Sequence, residues 1–292
     1  MKQFIDLVTK ILDAPGTEWK PNRTGVKTKA ISGYMLEHDM RDGFPMLTTR
    51  KMFLKNAAIE LEFFIKGLTD KRWLQERGNH FWDNWCNPKK VPYGHDAKTK
   101  SAMRMENDLG PIYGFQWRNF NGHWDIGTRN YNDGVDQLKK IVDMLKKDPS
   151  DRRMICSAWN PTQLSEMALP PCHLLWQVVV TGEKLNVLNL NWYQRSCDTM
   201  IGIPYDLLLY GLLLTLLAKE ANMIPGKLCG MLGDVHIYEN QLEGAYQQLK
   251  RHEYFLPNIG IPDFKSIYDW TYNDLELYGY VHHPIINFPL SV

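Results

Sequence analysis

The feature that most limits how this chain can fold is an apolar run at residues 207–218. Only Tyr210, Gly211 and Thr215 interrupt it. A segment of this length is too short to span a bilayer, which needs about 20 apolar residues. The run therefore predicts a helix buried in the core of a globular domain.

The segments on either side of this run predict a mixture of helices and strands. Helices are predicted at 4–12, 52–66 and 135–145, and strands at 27–36, 154–159, 174–180 and 185–193. Residues 231–238 are predicted to form either another strand or a strand-to-helix turn. Residues 87–108 are polar without clear periodicity, which predicts a long surface loop or lid. No repeat or linker divides the chain, so residues 1–292 are predicted to form a single α+β domain.

Charge and cysteine content limit the class of protein. Lys and Arg number 34 against 33 Asp and Glu, a net charge of +1, which does not predict binding to nucleic acid. An anionic ligand must then be held by a local arginine cluster. The five cysteines have no regular spacing, which favours a reducing compartment. Without a visible leader or membrane span we expect a cytoplasmic protein, and no Cys or His spacing predicts a metal site.

Two short motifs carry the chemistry. The first is Pro171-Cys172-His173, and the second is Tyr193-Gln194-Arg195-Ser196-Cys197-Asp198. A thiol is a weak nucleophile at neutral pH and needs a nearby cation to become a thiolate. An Arg-Ser pair can lower the pKa of that thiol and also hold a phosphate. The pattern predicts a cysteine nucleophile with its activating arginine.

Many strings along the chain together resemble one known family. They are Asn22-Arg23-Thr24-Gly25, Asp42-Gly43-Phe44-Pro45, Asp108-Leu109-Gly110-Pro111-Ile112-Tyr113-Gly114, Asp151-Arg152-Arg153, Ala158-Trp159-Asn160, the two motifs above, Gly233-Asp234-Val235-His236-Ile237-Tyr238 and the tail Gly279-Tyr280-x-x-His283-Pro284. In this order they resemble the thymidylate synthase family over nearly the whole chain. The resemblance implies a mixed sheet packed by helices and a homodimer joined sheet to sheet. Residues from about 88 to 107 look inserted relative to the bacterial enzymes.

The resemblance assigns a role to each matching residue. Cys172 is expected to add to C6 of a pyrimidine, which activates C5 toward a one-carbon electrophile. The expected phosphate clamp is Arg23, Arg152, Arg153, Arg195 and Ser196, with Arg152 and Arg153 reaching into the partner subunit's site. Gln194, His236 and Tyr238 are expected to bind the nucleotide.

Further residues are expected to manage protons and the cosubstrate. Glu60 lies in an apolar stretch, where a carboxylate is costly unless it has a task, and Tyr113 matches a tyrosine near the C5 proton. The resemblance implies 5,10-methylenetetrahydrofolate, with Trp82 and Trp85 stacking on it, Asp198 binding its pterin and Gly202 allowing close approach. Glu62 is expected to face solvent, and His282 and His283 are expected to pack in the tail.

Asp206 bears on the choice of base, because thymidylate-making members of the family carry Asn at the matching position. An ionised Asp206 accepts from the cytosine amino group but repels the uracil carbonyl oxygen. A protonated Asp206, or a protonated N3, completes the pair with cytosine. Asp here resembles the deoxycytidylate-modifying branch typified by phage enzymes. We therefore expect dCMP as the substrate, in a host cytoplasm if the gene is phage-borne, with dUMP as the alternative.

The product depends on whether water is excluded after one-carbon transfer. Hydride from the folate gives a methyl group, whereas water gives hydroxymethyl. The tryptophans and a tail Pro289-Leu290-Ser291-Val292 that can close over the site favour hydride. We expect 5-methyl-dCMP, with a dCMP hydroxymethylase as the alternative.

Two other classes of protein fit the sequence less well. A DNA cytosine C5-methyltransferase also uses a Pro-Cys nucleophile, but it needs a Gly-rich cofactor loop and a basic surface, and neither is visible. A non-enzymatic, nucleic-acid-binding descendant of the fold has no need to keep Cys172, Arg195, Asp198 and Glu60 together.

Overall fold

A computed structural model describes residues 1–15, 18–94, 96–124 and 133–291. Within these residues the helices are α1 Lys2–Asp13, α2 Leu54–Ile65, α3 Arg72–Gln75, α4 Ala97–Met105, α5 Tyr113–Asn119, α6 Gln137–Lys147, α7 Gly202–Glu220 and α8 Leu242–Leu249. The strands are β1 Thr28–Asp39, β2 Ile155–Ser157, β3 His173–Thr181, β4 Val187–Asp198, β5 Ile224–Tyr238, β6 Asn258–Gly260 and β7 Glu276–Tyr278.

Strands β1 to β5 form one mixed sheet in the order β1-β5-β4-β3-β2, and β6 pairs with β7 separately. All neighbours in the large sheet are antiparallel except β4 and β5, which are parallel because α7 crosses between them. Their register pairs Ser196 with Asp234 and Asp198 with His236. This register brings the ends of the two central strands together, and the α+β prediction with a mixed sheet packed by helices is confirmed.

Helix α7 contains the apolar run and occupies the core. It packs against α2 and against β4 and β5. By length and composition α7 can cross a membrane, but 72% of its most apolar stretch is buried inside the chain. Burial of this largely apolar helix between a sheet and a second helix removes most of its apolar surface from water, which confirms the core helix.

Two amphipathic helices cover the rest of the core. On α1 the buried residues Phe4, Leu7, Val8 and Ile11 follow helical spacing. On α6 a similar stripe faces inward, and Asp136 caps the helix by accepting from the backbone N–H of Lys139. The helices predicted at 4–12 and 135–145 are confirmed to within a few residues.

The segment at 88–107 is more ordered than a loop. It contains α4, whose first turn is capped by Asp96 accepting from the backbone N–H of Thr99. The ammonium of Lys71, fully buried, donates to the carbonyls of Asp83, Trp85 and Met103, at 2.8–3.1 Å. The prediction of an irregular loop is wrong here, because a polar helix of this length shows no apolar stripe. The buried lysine ties its end to the preceding loop.

The outer face of the sheet carries exposed apolar side chains. Met35 is 64% exposed, Met231 46% and Tyr193 39%. The register pairs Met35 with Met231 and Met231 with Tyr193, so the three side chains form a row across β1, β5 and β4. Large apolar residues in such a row mark a surface suited to a partner.

Candidate active site

A cavity of about 800 Å³ opens at the ends of β4 and β5. It contains Cys172 and six other residues predicted from the sequence: Arg23, Trp85, Arg195, Ser196, His236 and Tyr238. Leu164, Met167, Leu169 and Tyr93 add an apolar wall. Cations and hydroxyls on one side and apolar groups on the other suit a ligand with an anionic end and flat rings.

Cys172 lies just before β3, and Arg195 of β4 holds its loop. The Arg195 guanidinium donates to the carbonyls of Pro171, at 2.9 Å, and Pro170, at 2.7 Å, while its backbone N–H donates to the Cys172 carbonyl at 2.9 Å. Burial raises the pKa of the Cys172 thiol, the Arg195 charge lowers it, and Asp206 raises it. Arg195 thus both holds the loop that carries Cys172 and offsets part of the effect of burial on the thiol pKa.

The Arg23 side of the cavity is lined by charged groups from β5. Asp234 pairs with Lys20 at 2.9 Å and accepts a hydrogen bond from His236 Nδ1, also at 2.9 Å. These partners lower the pKa of Asp234 to about 2, with the His236 hydrogen bond as the largest cause of lowering. The imidazole of His236 is therefore fixed in orientation at the cavity wall, next to Tyr238.

Tyr113 is bound directly to the nucleophile's backbone. Its hydroxyl accepts a hydrogen bond from the Cys172 N–H at 2.8 Å, and its ring stacks on His173 with centroids 4.3 Å apart. Burial raises the pKa of Tyr113 well above its usual range, so the phenol stays protonated at neutral pH. The structure therefore places the Tyr113 hydroxyl on the backbone of Cys172.

Glu60 on α2 receives a hydrogen bond from the indole N–H of Trp82 at 2.7 Å. Burial raises the pKa of Glu60 to about 7, and the Trp82 hydrogen bond acts in the opposite direction. A carboxyl with this pKa can carry or release a proton at neutral pH. Trp82 itself is only 6% exposed, and of the two tryptophans predicted to stack on a folate, Trp85 lines the cavity.

Glu62 differs from its prediction as a solvent-facing charge. The residue is 4% exposed, and its carboxylate accepts from the backbone N–H of Tyr272 at 2.9 Å and lies 3.5 Å from Lys66 Nζ. The prediction is wrong because α2 is covered on nearly all sides. The segment that contains Tyr272 packs against the face of α2 that carries Glu62, so this side chain is buried instead of facing solvent.

Asp198 ends β4 and caps the turn into α7. Its carboxylate accepts from the backbone N–H groups of Met200 and Ile201 and from Gln241 Nε2. Gln241 also contacts the carbonyl of Pro289, so the C-terminal tail reaches this group. Burial raises the pKa of Asp198. Val292, the last residue of the tail predicted to close the site, lies outside the described residues.

Gly202 begins α7 next to this carboxylate. A Cβ there would meet no atom of the described chain closer than Asp206 Oδ2, at 3.6 Å. Packing within the chain therefore does not demand a glycine at this position. The open space agrees with the predicted close approach of a ligand.

Asp206 lies near the start of α7. Its Oδ2 accepts from Gln194 Nε2 at 2.8 Å, and its Oδ1 is 3.7 Å from His173 Nε2. Burial raises the pKa of Asp206 to about 7; the Gln194 hydrogen bond lowers it, and Glu60 and Asp198 raise it. The carboxyl is therefore protonated in a large fraction of molecules at neutral pH.

Arg152 and Arg153 lie apart from the rest of the predicted phosphate clamp. Both are exposed, and the Arg153 guanidinium pairs with Asp151 at 2.7 Å. Neither lines the cavity of its own chain. That Arg152 and Arg153 reach into the site of a partner subunit stays a prediction.

Some residues near the site were not predicted from the sequence. Gln241 and Tyr93 approach it from segments without a recognised motif. Arg50, 5% exposed, donates to the Met200 carbonyl, and burial lowers its pKa to about 10. His283 packs in the tail as expected, with its N–H on the Thr48 carbonyl. Among the described residues no group of three His, Cys, Asp or Glu side chains is arranged to hold a metal ion.

Comparison with known proteins gives a consistent result. A family model described as thymidylate synthase matches residues 2–292. The chain is 41% identical, over 292 residues, to a bifunctional dihydrofolate reductase-thymidylate synthase of Paramecium tetraurelia, with 99% of this chain and 61% of that protein covered. It therefore spans less than two thirds of that relative.

Two bacterial relatives match over almost their full length. The thymidylate synthase of Mycoplasma genitalium is 40% identical over 298 residues, with 98% of each chain covered. That of Mycoplasma pneumoniae is 38% identical over 304 residues, with 100% of each chain covered.

Proposed function

Because the chain belongs to the thymidylate synthase family, it is a nucleotide C5-methyltransferase that uses 5,10-methylenetetrahydrofolate, and we propose that it converts dUMP to dTMP. The observation that carries this proposal is Cys172 held beside Arg195 in a cavity that also contains Arg23, Ser196 and Tyr238. The two Mycoplasma relatives, which this chain matches over its length, are named thymidylate synthases. Nothing in the comparisons favours a deoxycytidylate-modifying branch.

The cavity fits both ligands. Arg23, Arg195 and Ser196 present cations and a hydroxyl suited to a phosphate, and Trp85 with Leu169 offers an apolar surface for a flat ring. Asp198 and Gln241 lie close by at the tail, where polar groups of a pterin can be held. When bound, the folate supplies the one-carbon unit and the hydride.

The chain's own residues divide the remaining chemistry. The Cys172 thiolate adds to C6 of the base, which breaks the C5–C6 double bond and places its electron pair at C5 for bond formation with the one-carbon unit. Loss of the C5 proton and expulsion of the thiolate restore the ring. Glu60, with a pKa of about 7, suits proton exchange with the base, and Tyr113 lies next to the nucleophile.

Asp206 gives a specific reason to keep dCMP as a second candidate. An ionised carboxylate can only accept, so it makes one favourable contact with either base: with the N3 donor of uracil or with the C4 amino group of cytosine. A protonated carboxyl has one donor and one acceptor, as a side-chain amide has. In that form it pairs with uracil or with cytosine, depending on which oxygen carries the proton. The raised pKa of Asp206 supports the protonated form. The names of the relatives therefore favour dUMP, while Asp206 keeps 5-methyl-dCMP as the alternative product.

The assay that tests this function combines the purified protein with 5,10-methylenetetrahydrofolate and either dUMP or dCMP. Mass spectrometry identifies the nucleotide, and absorbance follows dihydrofolate. dTMP with equal dihydrofolate is the expected result. If 5-methyl-dCMP is the only product, methylation of dCMP replaces methylation of dUMP as the function. Hydroxymethyl-dCMP formed without dihydrofolate indicates a hydroxymethylase. Absence of product from both nucleotides, or full activity in Cys172→Ala, overturns the proposal.

We also propose that the enzyme is a homodimer joined through the outer face of its sheet. The row formed by Met35, Met231 and Tyr193 provides an apolar surface, and exposed Arg152 and Arg153 are then placed to enter the partner's cavity. Sedimentation should give twice the mass of one chain, and Met231→Lys should give a monomer. A wild-type monomer at micromolar concentration contradicts the proposal.

We infer a cytoplasmic location and no nucleic-acid partner. The support is that all five cysteines are free thiols and that the net charge is +1. Fractionation of cells producing the tagged protein tests the location. Recovery in a membrane or secreted fraction contradicts it.

A further inference from the structure

Trp192 occupies a fixed position on β4, the central strand of the sheet. It is fully buried on β4, and its ring stacks on Tyr210 of α7 with centroids 5.2 Å apart and planes 14° apart. Gly230 of β5 also lies against this indole, and a Cβ there would come to 2.5 Å from Trp192 Cζ2. Because it is fully buried and packed against both Tyr210 and Gly230, the indole has one orientation and its N–H has one direction.

The indole N–H fixes the amide of Gln194, two residues further along the same strand face. Trp192 Nε1 donates to Gln194 Oε1 at 3.1 Å. An indole nitrogen can only donate, so the amide oxygen must face it. Gln194 Nε2 must then point away, where it donates to Asp206 Oδ2 at 2.8 Å and to the Ser196 carbonyl at 3.2 Å. A flipped amide would set two donors against each other.

The opposite side of Asp206 does not impose this order. His173 Nδ1 is hydrogen-bonded to Tyr210 Oη at 2.7 Å, which occupies one ring nitrogen. Its other nitrogen, Nε2, is 3.7 Å from Asp206 Oδ1, beyond direct hydrogen-bond reach. The donor and acceptor order of the carboxyl is therefore set from the Gln194 side.

This order has a consequence for the base. Since Oδ2 accepts from Gln194 and an unprotonated carboxyl oxygen is the better acceptor, this hydrogen bond favours a proton on Oδ1 over one on Oδ2. Uracil offers a donor at N3 and an acceptor at C4, whereas cytosine offers an acceptor at N3 and a donor at C4. A carboxyl whose oxygens can exchange roles matches both bases, but a carboxyl with a fixed order matches one.

We propose that Trp192 is a positioning residue that sets the choice between uracil and cytosine by fixing the amide of Gln194 and, through it, the proton on Asp206. The inference rests on the proposed function, since it concerns the base bound at that site. It does not depend on which of the two bases is preferred.

The test compares Trp192→Phe with Trp176→Phe. Trp176 is an equally buried tryptophan paired with Trp192 in the β3–β4 register, but its indole nitrogen has no hydrogen-bond partner among the described residues. The kcat/KM for dUMP and for dCMP is measured in the wild type and both variants. Trp192→Phe should reduce the ratio between the two bases by about tenfold or more, and Trp176→Phe should leave it within about twofold. If Trp192→Phe lowers kcat/KM for dUMP and for dCMP by the same factor, the inference is overturned.

A second variant keeps the test decisive if Trp192→Phe does not fold. Gln194→Glu retains an acceptor for the indole N–H but presents an oxygen to Asp206, which moves the shared proton toward Oδ2. Its preference should shift toward the base that the wild type disfavours. An unchanged ratio in this variant also overturns the inference.

Calorimetric binding of dUMP and dCMP without folate separates this inference from the proposed function. A wild type that binds but converts neither nucleotide overturns the function, while the ratio of the two affinities still tests Trp192. A wild type that converts one nucleotide, with a ratio unchanged by Trp192→Phe, overturns only the role of Trp192.

Discussion

The indole N–H of Trp82 donates to the carboxyl of Glu60 at 2.7 Å, and this hydrogen bond partly offsets the burial that raises the pKa of Glu60 to about 7. Because the hydrogen bond favours the ionised form, its removal raises the pKa of Glu60 further above about 7. In Trp82→Phe the pH profile of kcat should move upward by about one unit. Trp85→Phe, which alters the cavity wall instead, should leave the profile in place. If the wild type and Trp82→Phe have the same pH profile of kcat, Glu60 is not the group whose pKa sets that profile.

The reactivity of Cys172 depends on Arg195. The guanidinium opposes the effect of burial on the thiol pKa, so Arg195→Gln should raise that pKa and leave less thiolate. Alkylation of Cys172 by iodoacetamide at pH 8 should slow several-fold, as measured by peptide mass spectrometry. Cys229, beside Glu37 and Lys227, provides an internal reference within each sample. Equal alkylation rates at Cys172 in both proteins would show that Arg195 acts only on substrate.

The Asp206 carboxyl makes folding depend on pH. Its pKa is about 7 in the folded chain, against 3.8 as the ordinary value. Between these values the folded state binds more protons than the unfolded state, so the stability contributed by this group is present below about pH 4 and is lost as the pH rises through 7. The free energy of unfolding of Asp206→Asn, taken relative to that of the wild type, should therefore increase by on the order of a few kcal/mol between pH 4 and pH 7.5.

Urea unfolding at several pH values measures this gain. Asp151→Asn is the matched control, because Arg153 lowers the pKa of Asp151 to about 2 and its contribution is constant above pH 5. If the difference in the free energy of unfolding between Asp206→Asn and the wild type does not change with pH, Asp206 does not have a raised pKa in the folded chain.

Lys71 supports the loop that carries Trp85. Lys71→Met leaves three carbonyls without their donor, each costing about 1–3 kcal/mol if it stays buried. We expect a loss of about 3 kcal/mol in the free energy of unfolding and faster amide exchange in α4. Lys98→Met, an exposed lysine on α4, should change neither. Similar exchange in the two variants would show that the insertion is held by other contacts.

Local pattern was enough to predict much of this fold. The stripe on α1 and the apolar run of α7 are properties of consecutive residues, and the residues of the two cysteine and arginine motifs meet because β3 and β4 are neighbours. Helix α4 was missed because its sequence is polar and its stability comes from a cap and from Lys71, far along the chain. The burial of Glu62 was missed because Tyr272, its partner, lies in a segment with no predicted element.

The order imposed on Asp206 was only partly accessible from sequence. Strand periodicity places Trp192 and Gln194 on one face, so their contact follows from spacing alone. The third member, Asp206, lies on a helix, and its distance from Gln194 depends on how α7 packs on the sheet. A single sequence does not specify that distance.

The position of β5 between β1 and β4 has a consequence for synthesis on the ribosome. Strand β1 leaves the ribosome early, yet it pairs with β5, which emerges only after the long stretch containing β2, β3, β4 and α7. Until then β1 and β4 both present unpaired edges, and the cavity lacks the wall formed by His236 and Tyr238. The nascent chain therefore completes the wall of this cavity late, and its unpaired strand edges are exposed to aggregation for a long interval of synthesis.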